Sequence, residues 1–113
     1  MLIAAAVLFL LAAFFGMWLA SYVLTDRETP KGLAIIHGPL AVAGFICLVI
    51  GTIAQPSTPL IISIIIFSIA AIGGVTLIGI DLFGKRIPKL FALAHGLAAV
   101  TGYVFLLIGL IHR

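Results

Sequence analysis

Pro30-Lys31-Gly32-Leu33-Ala34-Ile35-Ile36-His37-Gly38-Pro39-Leu40-Ala41-Val42-Ala43-Gly44 begins a run with no charged side chain between Lys31 and Asp81. The same pattern returns 58 residues later as Pro88-Lys89-Leu90-Phe91-Ala92-Leu93-Ala94-His95-Gly96-Leu97-Ala98-Ala99-Val100-Thr101-Gly102. Extended to Gly51 and Gly109, the alignment holds 11 identities in 22 positions. Among the identical pairs are the proline, the lysine, the histidine with its following glycine, and the glycines seven and fourteen residues beyond. Each copy is long and apolar enough to cross a hydrocarbon core as a helix, which takes about 20 residues. The fold is therefore read as helical and membrane-spanning, with a histidine inside each repeated span.

Working outward, the whole chain divides into four such segments, at about 2–24, 32–53, 60–80 and 88–111. Barrel strands need only about ten residues and alternate in polarity, a pattern that is absent here. With 65% hydrophobic residues, 8% charged residues and a mean hydropathy of +1.45, the chain has too few polar side chains to cover a soluble globule. Residues 1–113 are expected to form a single membrane domain. Met1 to Leu24 lacks a basic n-region and is long for a signal peptide, so it is read as a retained first span.

The repeat extends faintly into the odd-numbered spans, where Leu2, Ile3, Phe9, Ala12, Ala13, Gly16 and Leu19 meet Leu60, Ile61, Phe67, Ala70, Ala71, Gly74 and Leu77. Two spans make one unit, about 1–55 and 59–113. Because a unit crosses twice, its second copy enters from the same side, and the two repeats are parallel. The loops are short, and Gln55-Pro56-Ser57-Thr58-Pro59 supplies a proline-rich turn. Pro30 and Pro88 suit the first helical position, where no backbone N–H is needed. The expected fold class is all-α, a polytopic four-helix bundle running up-down-up-down, built from two parallel two-span repeats.

Charge placement gives an orientation. Arg27, Lys31, Lys85, Arg86 and Lys89 flank the first and third loops, and only Arg113 lies at the opposite end. Loops 25–31 and 84–87 are thus expected in the cytoplasm and both termini outside, in a bacterial inner membrane. The net charge of +3 reports topology and attraction to anionic lipid, and no nucleic-acid partner is implied. Cys47 is the sole cysteine, which excludes an intrachain disulfide and a cysteine-rich metal site.

On span two, His37, Ala41, Gly44, Leu48 and Gly51 share one helical face, and His95, Ala99, Gly102, Leu106 and Gly109 repeat it. Small residues at this spacing commonly serve helix packing, and they also clear the room a flat macrocycle requires. An ionisable side chain in hydrocarbon is costly and ordinarily faces a bundle interior or a functional cavity. Two opposed imidazoles can fill both axial positions of a haem iron, with Lys31, Lys89, Arg27 and Arg86 near enough to the aqueous face to pair with propionates. Pro39, opposite Leu97 in the second copy, removes a backbone hydrogen bond beside His37, which can bend span two or equally be tolerated as packing, as membrane helices allow. Phe14, Trp18 and Tyr22 form a stripe suited to an interfacial aromatic belt.

On His37 and His95, their flanking Gly38 and Gly96, the clearance at Gly44 and Gly102 and the four-span layout, the chain resembles small membrane b-type cytochromes. The resemblance implies one haem b per chain, held between His37 and His95, and a role in electron transfer. It further implies a redox partner, a quinone or a larger membrane complex, with a homo-oligomer as a further option. Larger cytochromes of this sort place two histidines on each of two helices and carry two haems, whereas here there is one histidine per helix. Two other functions compete. A structural or assembly subunit of a larger complex would use the small-residue faces for packing and the histidines as hydrogen bonders. A small proton-coupled transporter would use them as proton relays, although Met1 to Leu24 lacks the membrane carboxylate of small multidrug exporters. Stand-alone enzymatic catalysis has little support, since no paired carboxylates, activated nucleophile, phosphate loop or zinc cluster occurs in the sequence.

Overall fold

The computed structural model describes residues 1–113. It is all helical, with α1 Leu2–Leu24, α2 Lys31–Ala54, α3 Thr58–Leu82 and α4 Lys89–Ile111. Each is long and apolar enough to cross a membrane, and the bundle measures 42 × 22 × 19 Å. In lipid a helix answers its own backbone hydrogen-bonding groups, so uninterrupted apolar runs become single uninterrupted helices. α2 accordingly runs through Pro39 without a break.

The loops differ from the sequence reading by small amounts with local causes. Pro30 and Pro88 stand one position earlier than expected, as the N-terminal caps of α2 and α4, with φ near −65° and ψ of 123° and 127°. The proline ring fixes φ, while the extended ψ turns the chain and still lets each carbonyl accept a first-turn bond, from Leu33 at 3.2 Å and from Ala92 at 3.1 Å. α3 begins earlier than expected because Pro59 lies in its first turn, where a missing N–H is harmless. At the ends of α1 and α3 the chain passes through a left-handed residue, Asp26 (φ 57°) and Gly84 (φ 72°). Behind these residues Arg27 N–H returns to the Tyr22 carbonyl at 2.8 Å and Lys85 N–H to the Ile80 carbonyl at 3.1 Å. Both are Schellman-type closures that satisfy otherwise orphaned carbonyls.

Burial is concentrated in one half of the bundle. Leu2, Ala5, Ala6, Phe9, Leu48, Leu60, Phe67 and Leu106 form the core, and Phe9 and Phe67 stack at 3.9 Å with nearly parallel rings. Glycines admit these side chains. A Cβ at Gly51 would lie 2.6 Å from Leu2 and one at Gly109 would lie 2.5 Å from Leu60, while Gly44 and Gly102 lie directly under Phe9 and Phe67. Ser63 donates to the Gly102 carbonyl at 2.8 Å, and the Tyr103 hydroxyl donates to the Ala6 carbonyl at 3.0 Å. Toward the basic loops, past Ala12 and Ala70, Thr29 is the only further buried residue. The remaining surface exposes leucines, isoleucines, valines and phenylalanines, as an integral membrane protein does to lipid.

Candidate functional site

His37 and His95 lie in the loosely packed half, on α2 and α4, each half-buried. Their ring centres are 6.3 Å apart and their planes stand at 82°. The His37 Nδ1 is 2.7 Å from the Ala12 carbonyl of α1. A carbonyl oxygen only accepts, so Nδ1 carries the proton and donates, and in the neutral ring Nε2 is left as a lone pair. The His95 Nδ1 is buried without a hydrogen bond.

What seats the rings is a second pair of glycines. Gly16 on α1 lies against His37, and Gly74 on α3 lies against His95. The sequence reading assigned clearance to Gly44 and Gly102, which the structure places against Phe9 and Phe67 instead. Those glycines are seven residues from the histidines, about 10 Å along a helix, so they serve the core and not the rings. Gly38 and Gly96, next to each histidine in sequence, have open space where a Cβ would stand. Ala99 packs on the edge of the core, and Ala41 is half-buried. Gly16, Gly74, Ala12 and Ala70 were visible in the sequence only as identities in the faint part of the repeat, with no polar group to draw attention to them.

The basic residues have protein partners. Lys31 pairs with Asp81 at 2.6 Å, and Thr29 donates to the same carboxylate at 2.9 Å. Lys89 pairs with Asp26 at 3.0 Å, and Arg86 reaches Asp26 only at 4.0 Å from an exposed position. The Lys89 ammonium, bonded to Asp26 and adding its charge, holds that carboxyl below the ordinary range, with Arg86 contributing less. Arg27 is turned to Thr25 Oγ1 at 2.8 Å and over the Tyr22 ring at 4.2 Å. Arg27, Lys31, Asp81 and Arg86, among others, line a hollow of about 280 Å³ at the loop end. Phe14 and Trp18 meet edge to face with both rings largely exposed, and His112 is the exposed C-terminal cap of α4.

No protein-family model, curated protein or solved structure matches the chain. No group of three or more histidine, cysteine, aspartate or glutamate side chains is gathered as a metal site. Chemistry at this site therefore depends on what two imidazoles can do as a pair.

Proposed function

We propose that the protein is a membrane b-type cytochrome that binds one haem b between His37 and His95 and passes electrons. The separation of the two rings carries this reading. With about 2 Å from a metal to an imidazole nitrogen and about 1 Å from that nitrogen to the ring centre, two rings on opposite sides of one ion stand roughly 6 Å apart. His37 and His95 stand at 6.3 Å. A porphyrin-bound iron needs only two protein ligands, so a pair without further metal-binding neighbours is sufficient. His37 already holds the tautomer that ligation through Nε2 requires. The loosely packed half of the bundle supplies the region in which the two rings meet.

When bound, the haem would supply a reversible one-electron couple, and two histidine ligands leave no open iron position for oxygen chemistry. The chain's own part is to hold both rings and to keep a polar end beneath the loops. Arg27 and Arg86, less engaged by carboxylates than Lys31 and Lys89, are the stronger partners for propionates. We further read the fold as two parallel two-span repeats running up-down-up-down. Support comes from the pairs Gly44–Phe9 and Gly102–Phe67, Gly51–Leu2 and Gly109–Leu60, and Gly16–His37 and Gly74–His95, which recur 58 residues apart. We also read the basic loops as cytoplasmic, in a bacterial inner membrane, a reading supported by the excess of basic side chains at that end. A haem near one face reaches only part of the bilayer, so a quinone or a partner subunit is the electron's other station.

The test is optical. Full-length protein purified from haem-replete cells should show a Soret band and sharpened visible bands on reduction, and His37→Ala or His95→Ala should abolish them. Colourless, metal-free wild-type protein would overturn the proposal. The His37–Ala12 hydrogen bond and a ring contact within ordinary edge-to-face distance favour a second reading, a structural subunit whose histidines pack the bundle. That reading predicts stable copurification with a partner and tolerance of glutamine at both positions.

A further inference from the structure

The two histidines come from α2 and α4, but the groups that orient them come from α1 and α3. A Cβ built on Gly16 would stand 2.9 Å from His37 Cε1 and 3.2 Å from its Nδ1, and one built on Gly74 would stand 3.1 Å from His95 Cε1. Gly16 lies four residues beyond Ala12, whose carbonyl accepts from His37, and Gly74 lies four residues beyond Ala70 on α3. Within a helix that carbonyl already accepts the N–H of the residue four positions on. Its second lone pair is flanked by the side chain of that same residue, because Cα–Cβ bonds tilt toward the helix N-terminus. Glycine removes the flank and leaves the lone pair open to a donor on a neighbouring helix.

We propose that Gly16 and Gly74 are positioning residues for the histidine pair, each opening a gap for an imidazole, and that the gap at Gly16 admits His37 to the Ala12 carbonyl and so directs its Nε2 to a metal. The opening of the gaps is a matter of packing alone, and the direction of Nε2 to a metal rests on the haem reading. The two gaps are unequal. Beside Gly74 lies Gly73, where a Cβ would be 3.6 Å from His95 Nδ1, while the corresponding residue beside Gly16 is Phe15. His37 is thus confined against its carbonyl, and His95 has lateral room that leaves its Nδ1 without a hydrogen bond. Loss of an Nδ1–H bond makes an axial imidazole a poorer donor to iron, and the reduction potential then rises.

The experiment uses the full chain in detergent micelles with ¹⁵N-labelled histidine, first without haem and then with haem b added. Without haem, wild-type His37 should appear as the Nδ1–H tautomer. Gly16→Ala should lose that signal in favour of Nε2–H, while Gly79→Ala, whose Cβ meets nothing within 4 Å, should retain it. With haem, Gly16→Ala should raise the midpoint potential more than Gly74→Ala, and Gly79→Ala should leave it at the wild-type value. The proposal is overturned if wild-type His37 carries its proton on Nε2, or if folded Gly16→Ala keeps both tautomer and potential. Should Gly16→Ala fail to fold, the wild-type tautomer and the milder Gly74→Ala variant decide the matter. If no variant, wild type included, takes up haem, the cytochrome reading fails while the tautomer result still judges the glycines.

Discussion

Asp26 occupies a backbone conformation that its counterpart in the second half gives to glycine. At φ 57° it closes α1 as Gly84, at φ 72°, closes α3. Aspartate tolerates the left-handed region better than most residues but less well than glycine. Its carboxylate also answers Lys89 at 3.0 Å, and that ammonium is the main reason its pKa lies below the ordinary range. The two roles separate by substitution. Asp26→Asn keeps the tolerant backbone and removes the charge, so it should melt below wild type at neutral pH, whereas Asp26→Gly should recover part of the loss. A carboxyl with a depressed folded pKa contributes above its unfolded value and loses that contribution as pH falls through the folded one. Wild type and Asp26→Asn should therefore converge as pH drops below about 4, as read by thermal unfolding in detergent. Equal pH profiles for the two proteins would show that the ion pair contributes nothing.

At the scale of the helix, length and apolarity were legible from the outset, because a lipid-spanning helix is defined by an unbroken apolar run and little else. The histidines were legible for a related reason, since a polar ring in such a run stands out. The pairing of glycine with side chain was not. These helices are apolar around their whole circumference, so the pattern does not reveal which face meets a neighbour and which meets lipid. Gly44 and Gly102 were thus assigned to the histidines on their own helix face, when Phe9 and Phe67 from neighbouring helices fill the space above them. The same packing makes Gly51 and Gly109 demanding. Leu2 and Leu60 are 3% and 0% exposed, and an added Cβ would come within 2.6 and 2.5 Å of their side chains. Gly51→Ala and Gly109→Ala should each cost about 1–3 kcal/mol by overpacking. Gly51→Ala should be the worse, because its Cβ also lies 3.2 Å from the Leu2 backbone nitrogen, against 3.5 Å for Gly109 and Leu60. Alanine at both positions with unchanged unfolding midpoints would contradict this account of how the hairpins pack.

In the whole molecule, the contacts that glycines admit stay within one half of the chain, and the halves meet through a different set. Phe9 stacks on Phe67, Tyr103 reaches the Ala6 carbonyl, Lys31 pairs with Asp81, and Lys89 pairs with Asp26. The two lysines stand 58 residues apart, but at the same displacement their carboxylates do not match: Asp81 meets Val23 and Asp26 meets Gly84. A repeat read from identities finds the lysines and misses the acids, so they were expected to serve propionates. Burial separates the ion pairs by weight. The Asp81 side chain is only 13% exposed and is also held by Thr29, whereas Arg86, 82% exposed and 4.0 Å from Asp26, is a surface contact. Exposed pairs contribute about 0–1 kcal/mol, so Arg86→Ala should leave the unfolding midpoint unchanged. Removing a partner from a sheltered carboxylate costs more, since the charge that remains is poorly hydrated. Lys31→Glu should therefore lower the midpoint clearly, and Lys31→Glu combined with Asp81→Lys should restore most of it by rebuilding the pair in reverse. Thr29 limits that recovery, because its hydroxyl can still accept from the new lysine but is held where a carboxylate once received its proton. A double variant no more stable than Lys31→Glu alone would mean that the halves are joined by the aromatic stack and the tyrosine, with the loop charges only setting orientation.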